Sequence, residues 1–321
     1  MEQVASSTLL TEDEGPARGM RRLVVRCGEL SFDVFPDRAM DIGALSFRGI
    51  PLAWTSPAGL RAPAHRSDSP MGWLDTFSGG LIATCGLDTF GSPSETGGQS
   101  FALHGSIGTQ QATHVNQDAS WTEDGDYEIR LSGRVRQGRL FGESMELCRT
   151  IRCRLGSARV DVHDVVTNLG PLEQPHMVLY HLNLGWPLVD DVATLEIPTE
   201  EVIARDAEAS AGMGHWHAFQ DPVLPFPEQV FRHRLPSATP VEVSIANPRL
   251  GIELAVAFHT DQLPHLFQWK LLASGAYVLG LEPANSPAIE GRATAREWGA
   301  LPTLAPGESR HYDLSFRVRH R

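Results

Sequence analysis

The chain has 321 residues, a net charge of −12 with histidine neutral, 41% hydrophobic and 21% charged residues, a composition ordinary for a soluble globular protein with a large buried core. The acidic balance argues against a nucleic-acid partner, whose phosphates need a basic stripe; the nearest approach to one, RVRQGR at 134–139, is a single arginine-bearing strand end. Four cysteines without CxxC spacing exclude a disulfide scaffold, a zinc ribbon and a redox motif, and no run approaches the ~20 apolar residues of a membrane span.

Residues 1–19, MEQVASSTLLTEDEGPARG, are polar, broken by Gly and Pro and without periodicity, which predicts a flexible tail. They have no positive region followed by an apolar stretch, so no signal peptide is expected and the cytoplasm is the default location. Period-two alternation dominates the rest. Strands are predicted at LVVRC (23–27), LSFDVF (30–35), YEIRLSGRV (127–135), MELCRTIRCRL (145–155), VDVHDVV (160–166), VEVSIA (241–246), IELAVAF (252–258) and along 312–318. Amphipathic helical patterns are nearly absent, and 30 Gly and 22 Pro supply frequent turns. The pattern predicts an all-β, single-domain antiparallel sandwich over residues 20–321. Two stretches lack alternation, 55–120 and 199–227, and long irregular loops in a compact β domain are often functional.

Four constellations could carry chemistry. In HLFQWKLLASGAYVLGLEP, Lys270 is the sole lysine of the chain. A three-residue loop, Ala273-Ser274-Gly275, would pair Lys270 with Val278 and Gln268 with Gly280, setting Lys270, Gln268 and Glu282 on one face; a two-residue loop would separate Lys270 from Glu282. In HMVLYHLNLGWPLVDD, alternation places Val178, Tyr180, Leu182 and Leu184 on one face and Met177, Leu179, His181 and Asn183 on the other. A His and an Asn in so apolar a strand must find polar partners or face a cavity. In GGLIATCGLDTFG…SFALHGSIG, glycines bracket Thr84, Cys85 and His104, a Cys–His pair among them, although nothing marks Cys85 as activated. In HWH, His215 and His217 would share a face if the segment were a strand, as a metal site requires; no third ligand is fixed by spacing and no metal is expected. There is no GxSxG elbow, HExxH, P-loop or Rossmann fingerprint.

Taken in order, FPDRAMDIGALSFRGIPLAW, GWLDTFSGGLIATCGL, LHG, LYHLNLGWPL and QWKLLASGAYVLGLEPAN resemble segments of aldose 1-epimerase-like proteins, an uncharacterised branch of the galactose mutarotase-like superfamily, from about residue 20 to the C-terminus. The resemblance implies a β-supersandwich with a sugar cleft on its concave face and a site of two histidines and a glutamate: His104 from the HG loop, His181 from the strand and Glu282 from LEPAN. It implies anomer interconversion without metal or organic cofactor, Glu282 taking the C1-hydroxyl proton, His181 protonating the ring oxygen and His104 bonding the sugar. Asp221 would bind sugar hydroxyls, and Arg38 and Asp41 are further contacts, with Thr84, Asn183 and Gln268 beside them. Lys270 would read an anionic group on an acidic sugar. The alternatives are an isomerase or lyase that enolises an open-chain or keto sugar through Lys270 or Glu282, and a non-catalytic carbohydrate-binding protein. A small-molecule carbohydrate is the expected partner, with no nucleic acid and no membrane, and the protein a monomer or homodimer.

Overall fold

The computed structural model describes residues 1–140, 142–237 and 240–321. The strands expected from alternation are present within a few residues, among them Leu30–Phe35, Tyr127–Gly138, Ser144–Arg154, Arg159–Asn168 and Ser309–His320. Three antiparallel sheets carry the fold. The largest has eight strands, running from Thr194–Glu196 at one edge to Ala112–Trp121 at the other. A six-stranded sheet has the order Glu201–Ala204, Gln229–Arg234, His265–Ala273, Ala276–Ala284, Leu179–Gly185, Ile82–Cys85. The third has five strands, all from the first 51 residues. The fold is the all-β sandwich that the alternation predicts.

Because side chains alternate across a strand, each half of the six-stranded sheet's residues is committed to one face. Tyr180, Leu182, Leu184, Leu266, Leu272, Leu279 and Leu281 join the main core with Ile129, Leu131 and Val162 of the large sheet. Leu179, Phe267 and Ala284 face the opposite way, into a second cluster with Trp73, Phe77 and Cys85. That second face carries the cleft described below.

Two segments depart from the sequence expectation. Residues Ala5–Thr11, expected within a flexible tail, form a strand paired in register with Arg21–Cys27. Only Ala5 of it is buried, so it is held by backbone hydrogen bonds and shows no hydrophobic period. The edge strand Ala112–Trp121 lies in the stretch read as irregular, and all but two of its residues are exposed. No helix among the described residues is long and apolar enough to cross a membrane.

One charged side chain sits at the meeting point of the three sheets. Arg149, fully buried, donates to both oxygens of Asp164 (2.9 and 2.7 Å), to Asp41 (3.2 Å), to the Thr84 hydroxyl (2.9 Å) and to the carbonyls of Ala39 and Met40. Tyr180 donates to Asp164 at 2.7 Å. This network uses three residues that were expected in the sugar site or beside it. Asp41 and Thr84 bond each other at 2.6 Å inside the core, and the buried Arg38 lies close enough to Asp41 to interact with its charge and donates to the carbonyl of Arg61. Asp41 and Thr84 are therefore committed to this network, and none of the three residues lines the cleft. Replacing Arg149 by Met should lower unfolding free energy by about 3–5 kcal/mol, because two buried carboxylates lose their counter-charge. Urea denaturation checks this, and a loss below about 1 kcal/mol would contradict the role assigned to the network.

Candidate active site

The hairpin 265–284 fixes what the cleft contains. Its connection has two residues, Ser274 and Gly275, with Ala273 paired to Ala276 and Gly275 at φ +91°. Trp269 therefore pairs with Gly280, and Phe267 with Glu282, while Lys270 pairs with Leu279. The expected three-residue loop is thereby corrected, and the whole strand shifts face. Trp269 and Glu282 face the cleft; Lys270 and Gln268 face the interior. Lys270 donates to the carbonyls of His215 (2.7 Å) and Ala218 (2.6 Å), 5.7 Å from the Phe219 ring, and burial lowers its pKa to about 8. Gln268 bonds His233 and the Trp216 carbonyl. These two residues hold the 213–219 segment against the sheet.

The other corrections concern that segment. His215 and His217 are exposed, His215 closing the 3-10 turn Met213–His215 rather than lying on a strand. Among the described residues no three His, Cys, Asp or Glu side chains are placed to hold a metal ion. Asp221 is exposed beside the hairpin tip, next to Gln220 whose carbonyl accepts from Tyr277, and does not reach the cleft. Cys85 is buried, its thiol on the Ala83 carbonyl and its pKa pushed well up by desolvation, so it is no thiolate nucleophile.

Three expected residues do meet. On the strand Leu179–Gly185 the pairs Leu179–Ala284 and Leu182–Leu281 set His181 across from Glu282, and His181 Nε2 lies 3.2 Å from Glu282 Oε1. His104 arrives from the loop after Gln99–Phe101, its ring 5.5 Å from that of His181. The turn at Leu103-His104-Gly105 is tight: His104 has φ +56°, Gly105 φ +70°, and a side chain on Gly105 would lie 2.4 Å from the Gly86 carbonyl oxygen. The Gly91 N–H donates to His104 Nδ1 (3.4 Å), which leaves the hydrogen on Nε2. Asn285 accepts from Val178 N–H (2.9 Å) and donates to the His176 carbonyl (3.0 Å), pinning the two strands in the register that places Glu282 beside His181.

The three groups line a cavity of about 440 Å³ whose walls are Trp54, Trp73, Phe77 and Trp269. Trp73 stacks on Phe77 at 4.1 Å and tilts over His104 at 4.5 Å, while Phe77 and Trp269 lie 5.2 and 5.5 Å from His181. At the rim, Trp269 donates to Glu228 (3.0 Å), which Arg205 also holds (3.0 Å). Alternation alone misses this aromatic wall. Its one sequence signal is Gly280 inside an apolar strand, since an interior glycine often marks a close approach. A side chain there would stand 2.9 Å from both Trp269 Cβ and Glu282 Oε1.

Burial sets the protonation of the pair. Desolvation, reinforced by the charge of Glu228, raises Glu282 from 4.5 to about 8. Desolvation lowers His181 from 6.5 to about 4, partly offset by Asn183 and by its own carbonyl. Asn183 donates to the carbonyls of Gly80 and His181 and is not among the residues that line the cavity. His104 is lowered well below 6.5 by desolvation and the neighbouring His181 and Arg66. Between about pH 4 and 8 the site thus holds a carboxylic acid beside the neutral His181 imidazole.

The family model described as "Domain of unknown function (DUF4432)" matches residues 17–318. The chain belongs to that family. No curated protein sequence matches it. Among solved structures, a "putative aldose 1-epimerase" from Klebsiella pneumoniae superposes with a TM-score of 0.91 at 26% identity, covering 98% of this chain and 84% of that one. A galactose mutarotase-like protein from Clostridium acetobutylicum (TM-score 0.66, 12% identity, 99% and 100% covered) and a galactose 1-epimerase from Lactobacillus acidophilus (0.60, 9%, 98% and 99%) share the fold. The galactose mutarotase-like fold implied by the motifs is the fold of this DUF4432 protein.

A raised carboxyl pKa makes stability pH-dependent. The folded protein keeps the Glu282 proton that the unfolded chain releases near pH 4.5, so stability falls as pH rises from 4.5 to about 8. E282Q removes that loss. Its advantage over the parent in urea unfolding should grow across this window to on the order of 3–5 kcal/mol and then level off; a pH-independent difference would place the carboxylate in water.

Proposed function

We propose that the protein is a sugar mutarotase, interconverting anomers by acid–base catalysis at Glu282 and His181. The observation that carries the reading is the 3.2 Å approach of the buried Glu282 carboxyl to the buried His181 imidazole in an aromatic-walled cleft. Apolar walls with a few convergent polar groups suit a sugar ring, whose C–H faces lie on aromatic surfaces while its hydroxyls meet the polar groups.

In ring opening, Glu282 delivers its proton to the ring oxygen as the C1–O5 bond breaks, and His181 takes the proton of the C1 hydroxyl as the carbonyl forms. The site then holds a carboxylate and an imidazolium, and their proximity offsets much of the penalty of charging a buried site. After rotation about C1–C2, the imidazolium returns its proton to O1 while Glu282 takes the one on O5, and the ring closes on its other face. The original protonation is restored without exchange with solvent. The resemblance implies the opposite starting assignment, glutamate as base; desolvation favours the neutral pair, and each cycle uses both roles. The Nε2–H of His104 supplies a hydrogen bond to O1 or O5.

The orientation of Lys270 bears on the alternatives. It faces the core, so it supports neither anion recognition in the cleft nor removal of a carbon-bound proton, and the enolising reading retains only Glu282. Exchange NMR between anomers across glucose, galactose and further aldoses tests the proposal. Catalysed exchange is expected, reduced about 10²–10⁴-fold by E282Q, with no deuterium entering C–H positions. The rate should fall as pH rises through about 8, where Glu282 loses its proton, and as pH falls through about 4, where His181 gains one. Exchange no faster than buffer for every sugar would remove the reading.

A further inference from the structure

The cleft continues beyond the residues just described. A second, smaller cavity of about 110 Å³ shares Arg205, Val230 and Ile289 with it and is closed by Arg232, Glu290 and Trp298. Strand register aligns the two. Arg232 pairs with Phe267 and Phe267 pairs with Glu282, so Arg232 stands in the same row as the reactive carboxyl, two strand spacings or roughly 10 Å away. With alternation keeping the row on one face, a group attached to a ring held at Glu282 and extending across Phe267 meets Arg232.

Two polar groups of this cavity, Arg232 and Glu290, are incompletely partnered. Arg232 forms no ion pair among the described residues and donates only to the Pro287 carbonyl (3.3 Å). Glu290 Oε2 is shielded from solvent and has no hydrogen-bond partner, a condition buried oxygens rarely tolerate without a ligand or water. Trp298 is 51% exposed, a large apolar ring presented at the rim. Donor, acceptor and aromatic face together match a second polyhydroxylated ring. An anionic substituent fits worse: it would meet the Glu290 carboxylate, and Arg205 is already paired with Asp206 and Glu228.

We infer that this cavity is a subsite for a second sugar unit, so that the substrate is the reducing end of a disaccharide or longer saccharide. The inference rests on the mutarotase reading for its chemistry, and on Arg232, Glu290 and Trp298 for its specificity.

Two measurements on the full chain separate the claims. Anomer exchange is followed by NMR for glucose, galactose, maltose, cellobiose and lactose, and binding of the same sugars to E282Q by calorimetry. The wild type is expected to turn over at least one disaccharide with kcat/KM at least tenfold above its monosaccharide. R232M and W298A should each remove most of that gain while leaving monosaccharide exchange within about twofold. Disaccharide binding to E282Q weakened by R232M, in a protein that exchanges no anomers, would uphold the subsite and remove the mutarotase reading. Monosaccharide exchange with no disaccharide preference, or equal losses for both sugar sizes in R232M and W298A, would overturn the subsite and leave the reaction standing. No disaccharide binding to E282Q would overturn it also.

Discussion

Because side chains alternate strictly across a strand, the length of the Ser274-Gly275 connection decides every side chain that the hairpin 265–284 presents to the cleft. With two residues in the turn, Trp269 and Glu282 share the concave face and Lys270 turns inward. A third residue would exchange the indole for an ammonium and convert an aromatic, weakly solvated pocket into a charged one. The raised pKa of the Glu282 carboxyl follows from this register, since Trp269 and the neighbouring rings desolvate it. Gly280 completes the arrangement by leaving its own volume to the indole and the carboxyl.

Behind the cleft floor, the fold keeps the Arg149 network on the far side of the sheet from Glu282 and His181. Arg149 and its carboxylates, Asp41 and Asp164, lie on the interior side of the strands that carry His181 and Ala83 on the other. Tyr180 and Thr84, the inward neighbours of those residues, bond into the network. The strands are thereby fixed from one side by ionic contacts and leave the other free for neutral groups. Lys270 serves a comparable end, fastening the 213–219 segment through two backbone carbonyls. A compact ammonium with freely directed donors suits two carbonyls better than a planar guanidinium fork, which gives the single lysine among arginines a structural role.

Much of this was legible in the sequence, and the remainder fails for identifiable reasons. Alternation locates the long strands and assigns His181 and Leu182 to opposite faces, because burial on one side imposes the period. The motif order points to His104, His181 and Glu282, which the chain brings together from positions almost 180 residues apart. The hairpin register is open in the sequence, since both loop lengths suit Ala-Ser-Gly, and a three-residue loop puts Lys270 and Gln268 where the structure has Trp269. Arg38, Asp41 and Thr84 look like surface ligands in sequence because polar residues seldom enter a core unless paired, and Arg149, the partner of Asp41 and Thr84, lies 65 or more residues away. Exposed strands such as Ala5–Thr11 and Ala112–Trp121 carry no hydrophobic period at all.

The aromatic walls of the cleft keep the Glu282 carboxyl protonated near neutral pH. Carbon-13 NMR of protein labelled at glutamate carboxyl carbons, with E282Q identifying the resonance, measures that ionisation directly. A titration midpoint close to 8 in the ligand-free protein is the predicted result. A midpoint between 4 and 5, the ordinary range of a solvated glutamate, would contradict it.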